Sequence, residues 1–170
     1  MNGNQSTGER LYAEDLTEII GVTQELGRYS LTEEAIRAFA QQWDPLAIHV
    51  GDGEHFGGVI ASGLHTLCVF QRLAVAGVYS RWAVVAGRDI RGMTLPKPVH
   101  PGDTLTGRVT IAEVAQRRSG RAKVRVQGEL SNQHDERVMI IELDGYVHCR
   151  GNAAAAPAAP TTSEVEDSQV

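Results

Sequence analysis

A carboxylate and an imidazole close together can share one water and pass its protons in both directions near neutral pH. Asp44 and His49 stand five residues apart in Asp44-Pro45-Leu46-Ala47-Ile48-His49. The residue before a proline avoids the α region, so Asp44 should close a helix and the segment after it should be irregular. The same two residues also read as a helix-end aspartate and a hydrogen-bonded loop histidine, and the spacing alone favours that simpler role. The neighbouring stretch changes the balance. Phe56-Gly57-Gly58 and a short apolar run lead to Ser62-Gly63, and then to Leu64, Leu67, Cys68, Val69, Phe70, Leu73, Ala74 and Val75. Ser62 is suited to cap a helix, and Gly63 has no side chain to keep a ligand atom from its backbone N–H. Exposed amides at a helix start favour negative charge. Base, acid and an oxyanion donor could therefore converge on one carbonyl compound.

The elements that must position these groups are legible to different degrees. The run after Gly63 is apolar on nearly every side, which predicts a central helix buried all round, Cys68 included. At roughly 13 residues or ~20 Å it is too short to span a membrane, which takes ~20 apolar residues. Before Asp44, Ile36, Phe39, Ala40 and Trp43 recur at helical spacing, with Ser30 and Glu33 as a capping box or Thr32 as the cap. Val22–Leu26 could be a short strand, and residues 51–58 a glycine-rich loop or broken turn.

The second half alternates with period two. Leu105, Gly107, Val109 and Ile111 interleave with polar residues, as do Ala122, Val124, Val126, Gly128 and Leu130. Both segments predict half-buried antiparallel strands. Trp82–Ile90 reads as a buried strand with Gly87 as a bulge, and Val138–His148 as a central or interface strand. No βαβ alternation occurs. The expected class is α+β, an antiparallel sheet wrapped round one buried helix, and an open edge argues for pairing with a second copy.

Length and charge bound the alternatives. The chain has 170 residues, 42% of them hydrophobic, enough for one domain with a sizeable core. Its net charge is −5, and Glu164, Glu166 and Asp167 at the end account for three of those charges. The rest lacks the basic surplus of a nucleic-acid binder. Residues 1–10 are polar and expected to be flexible; residues 151–170, rich in Ala and Pro, are expected to be a disordered tail. A single domain over 11–150 is left. Two cysteines and an N-terminus without an apolar signal-type run fit a reducing, cytoplasmic setting.

Rival motifs are weak. Gly51-x-Gly53 lacks the strand–loop–helix setting of a dinucleotide loop. His49, His55 and His65 have no cysteine partners or helical i, i+4 spacing, so no metal is expected. His65 reads as packed and hydrogen-bonded. Arg108, Lys123 and Arg125 on strands, and Arg117, Arg118 and Arg121 at a turn, are solvated charges or phosphate contacts.

DPLAIHV, FGGVIASGLHT, KPVHPGDTL, RRSG and SNQHDERV, in that order over residues 10–148, resemble the MaoC-like acyl dehydratases, or (R)-specific enoyl-CoA hydratases. The family signature is D-x-N-P-[LIV]-H; Leu46 and Ala47 stand where it has Asn and Pro, and the overhang before FGG is cut to residues 50–55. The resemblance implies a hotdog fold, usually dimeric, with the site near the interface. It implies Asp44 and His49 as the catalytic pair, Gly63 as oxyanion donor, and Ser62 and Leu64 beside the substrate. The expected reaction is hydration of a trans-2-enoyl-CoA to the (R)-3-hydroxyacyl-CoA, or its reverse. No cofactor is required, since CoA or pantetheine arrives with the substrate. Partners would be an acyl-CoA and a second subunit, in a homodimer or a heterodimer, with no nucleic acid or membrane. The alternatives are a thioesterase on the same fold and a non-catalytic acyl-CoA-binding partner subunit.

Overall fold

The computed structural model describes residues 10–117 and 119–151. The expected flexible N-terminus and tail, and the turn residue Arg118, therefore lie outside the described residues, apart from Arg10 and Gly151.

Five strands form one antiparallel sheet in the order β1-β3-β4-β5-β2. They are β1 (Thr23–Ser30), β2 (Val84–Thr94), β3 (Thr104–Arg117), β4 (Arg121–Ser131) and β5 (Arg137–His148). The long helix α4 (Gly63–Gly77) lies against one face. Its Phe70, Val69, Leu73 and Ala74 are buried with Leu105, Val109, Val124, Leu130 and Ile141 of the strands. The alternation is obeyed from Leu105 to Ile111 of β3 and along β4: Leu105, Val109, Ile111, Ala122, Val124, Val126 and Leu130 are buried and the residues between them carry the polar outer face. At Gly128 the side chain of Phe70 presses directly on the sheet backbone. A Cβ there would lie 2.3 Å from Phe70 Cζ.

Several expectations need correction. α4 is not buried all round: Cys68 is exposed, with Leu64 at 50% and Val75 at 44% accessibility. The helix crosses one side of a single sheet, so only its sheet-facing stripe is covered, and the rest stays open though apolar. Trp82–Ile90 is not a buried strand either. β2 begins at Val84 and forms an edge, hydrogen-bonded to β5 alone, so most of its residues are exposed. Its register slips between Gly87 and Asp89, where a bulge was expected, and at two further points. β5 is paired on both sides, by β4 and β2. A helix α1 (Ala13–Glu18), burying Ala13 and Leu16, was not anticipated because its six residues are too few to show a period.

The outer face of the sheet carries one buried charge. Asp144 accepts from Arg91 Nη1 at 2.8 Å and Arg125 Nε at 3.2 Å, with Lys123 Nζ at 3.5 Å. Burial pushes this carboxyl up, but the bonds from Arg91 and Arg125 and the Lys123 charge outweigh it and hold it below the usual carboxylate range. A depressed folded value stabilises above the unfolded one and is lost as pH falls through the folded one. Asp144→Ala is therefore expected to lower Tm at pH 7. The gap from the parent should close only as acidification passes below the ordinary carboxylate range, which thermal melts across pH can check.

Candidate active site

Three helix ends meet at one junction, which Asp44, His49 and Ser62 share. The first belongs to α2 (Glu33–Trp43), which Thr32 caps by accepting from the Ala35 N–H; Ser30 instead ends β1. Ile36 and Ala40 are buried on this helix, whereas Trp43, expected in the same stripe, is 63% exposed where the helix ends. Pro45 stops the helix as expected, and Asp44 is its C-cap.

The second end was expected to be irregular and is not. Residues Ala47–Val50 make a single helical turn, α3, in which Val50 and Gly51 N–H donate to the Leu46 and Ala47 carbonyls. One turn is too short to announce itself by periodicity. It nonetheless sets the direction of His49, which is buried. Beyond it the glycine-rich loop turns through a 3-10 segment, Glu54–Phe56, flanked by Gly53 and Gly57 with φ of 59° and 72°. Gly53 has a second reason to be glycine: a Cβ would sit 2.0 Å from the Gly58 carbonyl oxygen.

The third end is the N-terminus of α4. Ser62 is its N-cap, as expected, accepting from the Leu64 N–H at 3.2 Å. The same hydroxyl donates to Asp44 Oδ2 at 2.6 Å, tying the end of α2 to the start of α4. His49 completes the group, with Nε2 3.5 Å from Asp44 Oδ2. Its Nδ1 lies 2.8 Å from the Ile60 carbonyl, which can only accept, so Nδ1 carries a proton. In the neutral ring Nε2 then presents a lone pair beside the carboxylate. Two acceptors facing one spot fit a water that donates a proton to each.

Gly63 comes directly after Ser62, in the first turn of α4, where amides have no intrahelical acceptor. A Cβ on Gly63 would meet Leu95 Cδ1 at 2.6 Å, so Leu95 roofs this end of the helix. Leu95 over Gly63, Leu64 next to it and Leu46, whose N–H donates to the Asp44 carbonyl, are each more than 40% exposed and give the surroundings an apolar character. Leu64 thus borders the site from the surface, while Ser62 sits inside it, 1% exposed.

His65 does not join them. It is buried in the first turn of α4 and stacks on Phe39, ring centroids 4.5 Å apart. Burial pushes its imidazole down from the ordinary value, so it packs as a neutral ring, and its Nδ1 has no partner. Packing was expected for His65; the hydrogen bond at Nδ1 was not found. No three His, Cys, Asp or Glu side chains are grouped to hold a metal among the described residues. None of the described helices is long and apolar enough to cross a membrane. Of the basic residues, Arg108 pairs with Glu25 and Glu129, and Lys123 and Arg125 with Asp144, so these three serve the outer face of the sheet.

Comparison with known proteins agrees with this architecture. Residues 16–134 match the family model described as MaoC like domain. Over 111 residues the chain is 29% identical to the uncharacterized protein YdeM of Bacillus subtilis (strain 168), covering 63% of this chain and 77% of that one. A solved MaoC-like dehydratase from Rhodospirillum rubrum is 30% identical, with a TM-score of 0.71 over 82% of this chain and 98% of its own. The unliganded R-hydratase PhaJ1 from Pseudomonas aeruginosa is similar in fold, with 18% identity and a TM-score of 0.61 over 82% of this chain and 86% of its own. With most of its length matched by the family model, the chain belongs to the MaoC-like dehydratase family and has the hotdog fold.

Proposed function

We propose that this protein is a hydro-lyase that adds water to, or removes it from, an acyl thioester, converting a trans-2-enoyl-CoA to the (R)-3-hydroxyacyl-CoA. The observation that carries the reading is the junction itself: Asp44 bonded to Ser62 at 2.6 Å, with His49 Nε2 3.5 Å from the same carboxylate oxygen. In the forward direction the water oxygen bonds to C3 of the enoyl group while one water proton passes to Asp44. The electron pair of the C2–C3 double bond moves onto the thioester oxygen, which the Gly63 amide stabilises. His49 Nε2 orients the water by accepting from its second O–H, whose proton stays on the oxygen as the 3-hydroxyl. The proton held by Asp44 then returns to C2, the enolate collapses, and one whole water has been added. A positioned base contributes ~10²–10⁴-fold, and one oxyanion donor ~3 kcal/mol of barrier.

The apolar surroundings of Leu46, Leu64 and Leu95 support an acyl rather than a polar substrate. No cofactor enters this scheme, because the thioester carrier comes with the substrate. The test is an assay of the purified protein with crotonyl-CoA and longer enoyl-CoAs, following enoyl absorbance and free thiol together. Loss of enoyl conjugation without thiol release is expected. Thiol release with the double bond intact would mean a thioesterase, and no change in either a binding subunit.

We also propose that the working unit is a dimer, a homodimer or a heterodimer with a related chain, covering the edge strand β2. Val84, Ile90 and Met93 are exposed along it, and Leu95 just beyond its end. An edge of this length and apolarity is rarely left open. In the homodimer case Ile90→Lys is expected to shift the purified protein toward monomer by sedimentation, with its far-UV spectrum unchanged. A parent that sediments as a monomer would refute that case.

A further inference from the structure

Arg37 lies on α2 roughly two turns before Asp44, and its guanidinium reaches over to the far end of α3. There Nη1 donates to the Val50 carbonyl at 2.6 Å and to the Gly51 carbonyl at 2.8 Å. From the other side Glu33 Oε1 holds Nε at 2.8 Å and Nη2 at 2.7 Å, so the guanidinium is fixed at both edges. α3 has only four residues. A helix that short has no stability of its own, since one turn costs more order than its hydrogen bonds return. Its final carbonyls also lack partners within the helix. A cation at that end is favoured by the helix dipole, and bonds from a charged donor to two successive carbonyls are strong and directional.

We propose that Arg37 is a positioning residue, which fixes the height and rotation of α3 on α2 and so holds His49 against Asp44. The path is short. Arg37 and Asp44 share one helix, and Val50, which Arg37 grips, is the residue after His49. The opposite side of α3 is held by Ile60, whose N–H donates to the Ile48 carbonyl at 3.1 Å and whose carbonyl accepts from His49 Nδ1 at 2.8 Å. Ile60 sets the tilt of the imidazole, and Arg37 sets where the turn that carries it sits. Without Arg37, α3 is held mainly from the Ile60 side, and the bonds there, His49 Nδ1–H to the Ile60 carbonyl included, open more often. Displacing a catalytic group by ~1 Å can cost on the order of 10²-fold in rate.

The kinetic arm of the test rests on the hydratase reading; a second arm does not. Arg37→Ala, Arg37→Lys and Glu33→Gln are made in the full chain, and each is followed by enoyl-CoA kinetics and by NMR of histidine-labelled protein. For Arg37→Ala the expected result is a cooperative melt, kcat lowered on the order of 10²-fold, and KM within about twofold. The His49 Nδ1 proton, shielded by Ile60 in the parent, should exchange with solvent markedly faster. Arg37→Lys should restore part of both, because an ammonium can still reach a carbonyl but lacks the fork that grips two. Glu33→Gln should fall between parent and Arg37→Lys. An Arg37→Ala protein with parent-like kcat in an active parent, or with parent-like exchange at His49, overturns the proposal. If the parent shows no hydratase turnover, the hydratase reading fails and the exchange measurement decides the role of Arg37 by itself. If Arg37→Ala does not fold, Arg37→Lys decides: loss in both measurements supports the proposal, and parent-like values in both overturn it.

Discussion

Asp44→Asn is expected to abolish nearly all enoyl-thioester hydration, a fall of ~10²–10⁴-fold, with the fold intact. The amide keeps an oxygen to accept from Ser62 Oγ, which now bonds the carboxylate at 2.6 Å, so the link between α2 and α4 survives. What is lost is the basic lone pair. His49→Ala should fall by a similar factor, because Nε2 stands 3.5 Å from Asp44 Oδ2 and both groups serve one water. The double variant should cost little more than either single one, since residues that act as a unit are not additive. Steady-state kinetics on the three variants measures this directly. Multiplied losses would mean that the two groups act in separate steps. An Asp44→Asn rate within a few-fold of the parent would remove Asp44 as the base, whatever His49 does.

Of the glycines in the strands, Gly128 is the one at which an added methyl group, Gly128→Ala, is expected to clash most and to destabilise the fold. Its Cβ would lie 2.3 and 2.5 Å from two ring carbons of Phe70 and 3.1 Å from Ile141 Cγ2. Phe70 is fully buried under α4 and cannot swing aside, unlike Leu95 over Gly63, whose exposed end can yield. Overpacking of this kind costs ~1–3 kcal/mol, or roughly 2–4 °C in Tm per kcal/mol for a chain of this size. Combining it with Phe70→Leu should recover part of the loss, because the two changes share one space. Thermal melts of the two single variants and the double variant check this; a strictly additive double variant would mean that the helix lifts away as a body.

How much of this was legible in the sequence depended on the length of each element and on contacts between distant segments. β3 and β4 show their inward residues because strands of 14 and 11 residues repeat the period often enough to read. Gly128 could be placed on the inner face by the same alternation, but nothing in sequence says that Phe70 presses on it. Asp44, Ser62 and Gly63 were found through local rules: proline after a helix end, serine before a helix start, glycine in its first turn. The bond between Asp44 and Ser62 was not legible, for the two are 18 residues apart and meet only when α2 and α4 pack. α3 and Arg37 were missed for a related reason. A one-turn helix has no period, and the residue that anchors it is 13 positions from Val50. The misjudged burial of Cys68 and of β2 has another origin. Apolar composition reports what a residue is suited to touch, and the open face of α4 and the edge of β2 have no cover within the described chain.

The most direct measurement of the central claim is where the oxygen of water ends up. Enoyl-CoA would be turned over in ¹⁸O-labelled water and the products resolved by mass spectrometry and chiral chromatography. Addition of water by the Asp44–His49 pair predicts one ¹⁸O on C3 of an (R)-3-hydroxyacyl-CoA, with the thioester unbroken. Label in a released carboxylate, or no label in any product, would contradict it.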